Sequence, residues 1–72
     1  MNYSDKAITL NGIDYIVIKQ VNYNNKNYVY LVNDKDKTDT MFGEIKNDEV
    51  FMIEPKLFQE IIFPLFLKEM KN

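Results

Sequence analysis

Hydrophobic and polar residues alternate along the first two thirds of the chain, and this alternation predicts short β-strands separated by tight turns. An apolar-rich run over residues 7–10 is followed by Asn11-Gly12 and then by a second run over residues 13–21. Asn-Gly favours a two-residue type I′ turn, because both central positions of that turn need a positive φ. The sequence therefore predicts a hairpin in which Leu10 lies opposite Ile13.

The segment that follows this hairpin, residues 22–27, is rich in asparagine, which tolerates left-handed backbone conformations and favours turns. We interpret residues 24–27 as a four-residue loop that pairs Tyr23 with Tyr28. Downstream, the pattern predicts three more strands and two connections between them. The strands are residues 28–32, 40–46 and 49–53, and the connections are a polar loop at 33–39 and a turn at Asn47-Asp48.

The C-terminal stretch is predicted to be helical and is the most apolar part of the chain. Pro55 suits the first helical turn, where its missing N–H is not needed, and Glu54 before it complements the positive end of the helix dipole. Pro64 lies inside the stretch, removes one backbone hydrogen bond and disfavours the helical conformation of Phe63. We therefore expect a helix that is kinked or broken at Pro64.

These elements predict an α+β fold in one domain, residues 1–72: a five-stranded antiparallel β-meander followed by one C-terminal helix. The sheet has two apolar faces and could curl into a small barrel. Period-2 alternation places the tyrosines on one face and an aliphatic set, Ile16, Ile18, Val29 and Leu31, on the other. We expect the helix to cover the aliphatic face and the tyrosines to stay partly accessible, because their hydroxyl groups tolerate water.

The composition argues against several kinds of chemistry. The chain has no cysteine, no histidine and only one serine, so a nucleophile–base pair or a zinc site is hard to assemble. All nine positive charges are lysines and the net charge is −2, which argues against direct nucleic-acid binding. We therefore expect no enzymatic activity, no cofactor and no metal.

The location expected from the sequence is cytoplasmic, without membrane attachment. The absence of cysteine fits a reducing compartment. The N-terminal residues lack the apolar core of a signal peptide. The apolar run in the helix is shorter than the roughly 20 residues that span a membrane.

The function predicted from the residues is protein binding, either to a partner protein or to a second copy in a homodimer. The helix carries more apolar residues than one sheet face requires, and surplus apolar surface on a small protein marks contact sites. Aromatic residues dominate such contacts. The candidate partner-binding residues are Tyr15, Tyr23, Tyr28, Tyr30, Phe63, Phe66 and Met70.

An alternative prediction starts from the acidic residues in the middle of the chain. A small acidic protein of phage or plasmid type could present carboxylates to the basic channel of a nucleic-acid-binding host defence protein and inhibit it. The candidate residues are Asp34, Asp36, Asp39, Glu44, Asp48 and Glu49. Interspersed lysines dilute this charge, so a solvated surface stays the simpler interpretation.

The run from Asp14 to Leu31 has the order strand, aromatic residue, polar turn with lysine, aromatic residue and second strand. In this order it resembles the opening hairpin of the small YrzB-like proteins of Firmicutes. The later acidic loop and the terminal helix also come in the same order as in that family. The chain departs from the family at Asn25, where glycine is usual, and it is less acidic. The resemblance implies a strand-rich domain with a C-terminal helix and carries no activity.

Overall fold

The computed structural model describes residues 7–70, which form one antiparallel sheet and a C-terminal helix. The strands are β1 (Ala7–Leu10), β2 (Ile13–Tyr23), β3 (Lys26–Asn33), β4 (Thr40–Lys46) and β5 (Glu49–Phe51). They lie in the order β1-β2-β3-β4-β5, and the sheet curls into a half-barrel. The predicted fold class is confirmed.

Three of the strand connections are two-residue turns whose central residues all have positive φ. They are Asn11-Gly12 (53° and 79°), Asn24-Asn25 (54° and 64°) and Asn47-Asp48 (53° and 64°). Positive φ at both positions is the type I′ geometry, which matches the right-handed twist of paired strands. The predicted turns at Asn11-Gly12 and Asn47-Asp48 are confirmed.

The predicted four-residue loop at residues 24–27 is wrong. The turn there has two residues, and the ladder continues to its end with Tyr23 paired to Lys26. Asparagine adopts the left-handed conformation more readily than other residues with side chains, so Asn24 and Asn25 can both occupy the turn. The tighter turn extends β2 and β3 beyond their predicted ends.

A β-bulge at Ile18 interrupts the pairing of β2 with β3. Val17 pairs with Leu31, whereas Lys19 pairs with Tyr30, so Ile18 is an extra residue without a partner in the ladder. An extra residue reverses the in–out alternation of everything beyond it. The two halves of β2 therefore direct their odd-numbered side chains to opposite faces of the sheet.

The sheet carries a separate core on each of its two faces. The first core is Tyr15, Val17, Val29 and Leu31, and the second core is Val21, Tyr28, Ile62 and Phe66. The residues packed around the first core all come from strands, whereas the helix lies over the second core. The expectation that the helix covers Val29 and Leu31 is wrong, because those residues share a face with Tyr15 on the side away from it.

The helix begins at the predicted residues, and it contains a π-helical turn in the stretch before Pro64. Glu54 is the N-cap, with its side-chain Oε1 accepting a hydrogen bond from the Leu57 N–H at 2.8 Å. Residues 55–70 then run as an α-helical turn, a π-helical turn over Phe58–Ile62 and an α-helix over Phe63–Met70. The wider π turn ends at Ile62, two residues before Pro64, where the helix must accommodate a missing N–H and the proline ring.

Gly43 on β4 provides the space in which β5 packs against β4. The residue is buried, and a Cβ built on it would overlap Cγ1 of Val50 and lie 3.2 Å from the carbonyl oxygen of Phe51. Val50 in turn packs against the first core. A side chain at position 43 would therefore force Val50 to shift from its place against the first core.

We expect Gly43→Ala to destabilise the fold by about 1–3 kcal/mol, the usual cost of overpacking a core. Removing Val50 Cγ1 should relieve the overlap, so the double variant Gly43→Ala/Val50→Ala should lose less than the sum of the single variants. Urea unfolding followed by circular dichroism measures the free energy of unfolding of the two single variants and the double variant. Strictly additive losses would show that the overlap with Val50 is not the cause.

Candidate functional site

The structure separates the four tyrosines that the sequence placed on one partly accessible face. Tyr15 lies in the first core, and Tyr28 lies in the second core with 2 % of its surface exposed. Tyr30 is half-buried beside the second core, and Tyr23 is exposed near the end of β2. The expectation of an accessible tyrosine face is wrong for Tyr15 and Tyr28, since both are core residues.

The three predicted helix residues also divide between core and surface. Phe66 is fully buried against the sheet in the second core. Phe63 and Met70 lie on the outer side of the helix, with 39 % and 44 % of their surface exposed. Phe63 and Met70 are therefore available for contact with another molecule, and Phe66 is not.

The helix is anchored to the sheet by an aromatic cluster centred on Phe42 of β4. The Phe42 ring stacks on Tyr30 at a centroid distance of 4.6 Å and meets Phe66 edge-on at 5.0 Å. It also contacts Phe58 at 5.1 Å and Phe63 at 5.9 Å. Aromatic pairs in these geometries add to the stability gained from burial, so they hold the helix in one position.

An apolar band continues outward from this cluster along the helix. An open groove of about 290 Å³ lies between the end of β5 and the start of the helix. It is lined by Phe42, Met52, Ile53, Pro55 and Phe58. The Phe58 ring lies 5.5 Å from Phe63, which connects the groove to the outer side of the helix. We call Met52, Phe58, Phe63, Leu67 and Met70 the apolar band.

The two most exposed residues of the apolar band, Met52 and Leu67, were not predicted from the sequence. Met52 has 92 % and Leu67 has 54 % of its surface accessible. Leu67 follows Phe63 by four residues and precedes Met70 by three, the spacing of one helix face. This spacing could have identified Leu67, whereas the exposure of Met52 depends on β5 ending at Phe51, two residues earlier than predicted.

Two of the three acidic side chains in the loop between β3 and β4, Asp36 and Asp39, are held by local hydrogen bonds. Asp39 Oδ2 accepts one from the Tyr15 hydroxyl at 3.0 Å and one from the Asn33 side-chain amide at 3.1 Å. Asp36 Oδ1 accepts from the hydroxyl of Thr38 at 2.6 Å and from its N–H at 3.1 Å, and these bonds lower the pKa of Asp36. Asp39 therefore fixes the loop to the sheet rather than facing a partner.

The remaining candidate acids lie at the other end of the sheet. Asp48 and Glu49 are exposed at the turn between β4 and β5, and Glu44 is half-buried on β4. Burial, followed by the nearby Glu44 carboxylate, raises the pKa of Tyr28. β4 separates these acids from the loop at residues 34–39, so the candidate acids form two groups instead of one surface.

Comparisons with protein-family models, with curated proteins and with solved structures gave no match. The resemblance to the YrzB-like proteins therefore stays a prediction. Among residues 7–70, no three His, Cys, Asp or Glu side chains are grouped so that they could hold a metal ion. Within the same range, no helix has the length and apolar character needed to cross a membrane.

The different burial of two neighbouring helix residues is testable. Phe66→Ala should destabilise the fold by about 3–5 kcal/mol, because it leaves a cavity beneath the helix. Leu67→Ala, one residue further, should change stability by only about 0.5 kcal/mol or less. Thermal unfolding followed by circular dichroism compares the two, and equal losses would contradict the assigned orientation of the helix.

The hydrogen bond from Tyr15 to Asp39 predicts a loss of stability at alkaline pH. This bond, reinforced by burial and by the Asp39 charge, raises the pKa of Tyr15 above its usual value of 10.0. The stability that this bond contributes is therefore fully present at pH values below the pKa of Tyr15 in the unfolded chain. It is lost as the pH rises through the higher pKa of Tyr15 in the folded protein. Melting temperatures measured from pH 8 to 11 should fall less steeply for Tyr15→Phe than for the wild type, and identical profiles would contradict this role.

Proposed function

We propose that the protein is a small, non-enzymatic protein-binding module that uses the apolar band as its contact surface. The observation that carries the proposal is the gathering of large exposed apolar side chains on one continuous surface. Met52, Phe63, Leu67 and Met70 are all exposed, and Phe58 connects Met52 to Phe63 through the groove. Contiguous apolar surface of this kind marks contact sites in small proteins.

The band is well suited to binding because its base is rigid. Phe58 and Phe63 pack on Phe42, which in turn stacks on Tyr30 of the sheet. A surface held in its binding conformation loses little conformational entropy when a partner docks. Aromatic side chains fixed in this way are typical anchors of protein interfaces.

The alternative proposal, an acidic inhibitor of a nucleic-acid-binding protein, has less support. A mimic of nucleic acid needs its carboxylates on one surface, facing a basic channel. The loop acids precede β4 and Asp48 and Glu49 follow it, and the seven residues of β4 span about 20 Å in extended conformation. Glu44 lies within the strand and is half-buried. Asp39 is in addition occupied by Tyr15 and Asn33.

The proposal includes a cytoplasmic location, which the absence of cysteine supports. An interface formed by the apolar band should also persist at high salt, since screening weakens charge contacts and leaves apolar burial intact. This property separates it from a charge mimic.

Site-specific photo-crosslinking in cells that naturally make the protein tests the proposed function. A photoreactive phenylalanine analogue at Leu67 should give a discrete cross-linked protein product, because Leu67 lies in the centre of the exposed helix surface. The matched control is the same analogue at Ile13, which is 40 % exposed but lies beside the turn between β1 and β2. Equal products from both positions, or none from Leu67, would contradict the proposal.

A further inference from the structure

Two neighbouring rows of side chains run along the outer side of the helix. The apolar row contains Phe63 and Leu67, four residues apart, and both are exposed. Beside it lies a second row at the same spacing, with Glu60, Pro64 and Lys68, which are also exposed. Residues four apart on a helix are surface neighbours, so each row is continuous.

The second row has opposite charges on the two sides of Pro64. Lys68 lies about 6 Å beyond Pro64 along the α-helix axis at 1.5 Å per residue, and Glu60 lies about one turn before Pro64, in the π-helical turn Phe58–Ile62. Turning the helix end for end about a two-fold axis at Pro64 exchanges these two positions. Two copies related in this way bring Glu60 of each copy opposite Lys68 of the other.

The apolar rows of the two copies also meet in this arrangement. With the two-fold axis at Pro64, Phe63 of one copy and Leu67 of the second copy lie side by side with an offset of about 3 Å along the helix axis, and the reverse contact follows by symmetry. A parallel arrangement would instead place Glu60 opposite Glu60 and Lys68 opposite Lys68, which like-charge repulsion disfavours. The helix surface is therefore complementary to itself in one orientation only.

We propose that the partner of the apolar band is a second copy of this chain, packed helix against helix in antiparallel orientation. The inference rests on the proposed function, because it uses the same exposed side chains. Burial of Phe63 and Leu67 supplies the affinity, and the two Glu60–Lys68 pairs set the orientation.

Light scattering behind a sizing column tests the oligomeric state. The wild type should have twice the 8.6 kDa mass of one chain. Leu67→Asp should weaken the dimer on the order of 30-fold or more, the effect of removing an interface hot spot. Ile13→Asp introduces the same charge at an exposed position away from the helix and should leave the dimer unchanged, with circular dichroism confirming that both variants fold.

Charge reversal tests the antiparallel orientation. Lys68→Glu should weaken the dimer about tenfold at low salt, because it faces Glu60 of the second copy. The double variant Glu60→Lys/Lys68→Glu should regain most of the lost affinity, since both pairs return with reversed signs. The difference in dimer affinity between the single and the double variant should become smaller at 1 M salt, where charges are screened beyond about 3 Å.

Two results would overturn the second copy as the partner: a monomer at every concentration, or a dimer unaffected by Leu67→Asp. No recovery in the double variant would overturn the antiparallel orientation. A monomeric wild type that still forms a Leu67-specific cross-link to a different protein would leave the proposed function intact. A dimer that persists in Leu67→Asp, together with no cross-link at Leu67, would overturn both proposals.

Discussion

The β-bulge at Ile18 decides which face of the sheet each half of β2 supplies. Before the bulge, β2 contributes Tyr15 and Val17 to a core built by the sheet alone. Beyond it, β2 contributes Val21 to the core beneath the helix. Without the extra residue, Val21 would share the face of Tyr15 and Val17, and the second core would lose its residue from β2.

The second core explains why so short a chain can fix the position of its helix. Ile62 and Phe66 are fully buried against Val21 and Tyr28 of the sheet. Phe42 then joins the sheet to three phenylalanines of the helix through direct ring contacts. Because the aromatic cluster reaches the surface at Phe63, the packing that stabilises the fold also orients the exposed apolar band.

The distribution of charge and apolar surface gives the molecule two different sides. Two acids of the loop between β3 and β4 accept local hydrogen bonds, Asp36 from Thr38 and Asp39 from Tyr15 and Asn33. The helix instead presents exposed apolar residues beside Glu60 and Lys68, which lie on the two sides of Pro64.

Local signals in the sequence were sufficient to predict the element types, most strand positions and the start of the helix. Asn11-Gly12 and Asn47-Asp48 specify their turns through backbone conformation, and Glu54-Pro55 specifies the first helical turn. Within the candidate site, Phe63 and Met70 were identified and are exposed, whereas Leu67 and Met52 were missed.

Three features could not be predicted from local sequence: the bulge at Ile18, the face of the sheet that the helix covers and the burial of Phe66. These features depend on how β2 pairs with a strand that follows it in the chain and on which side chains meet across the sheet. Periodicity within one segment contains no information on such pairing, since a shift of one residue reverses every side chain beyond it.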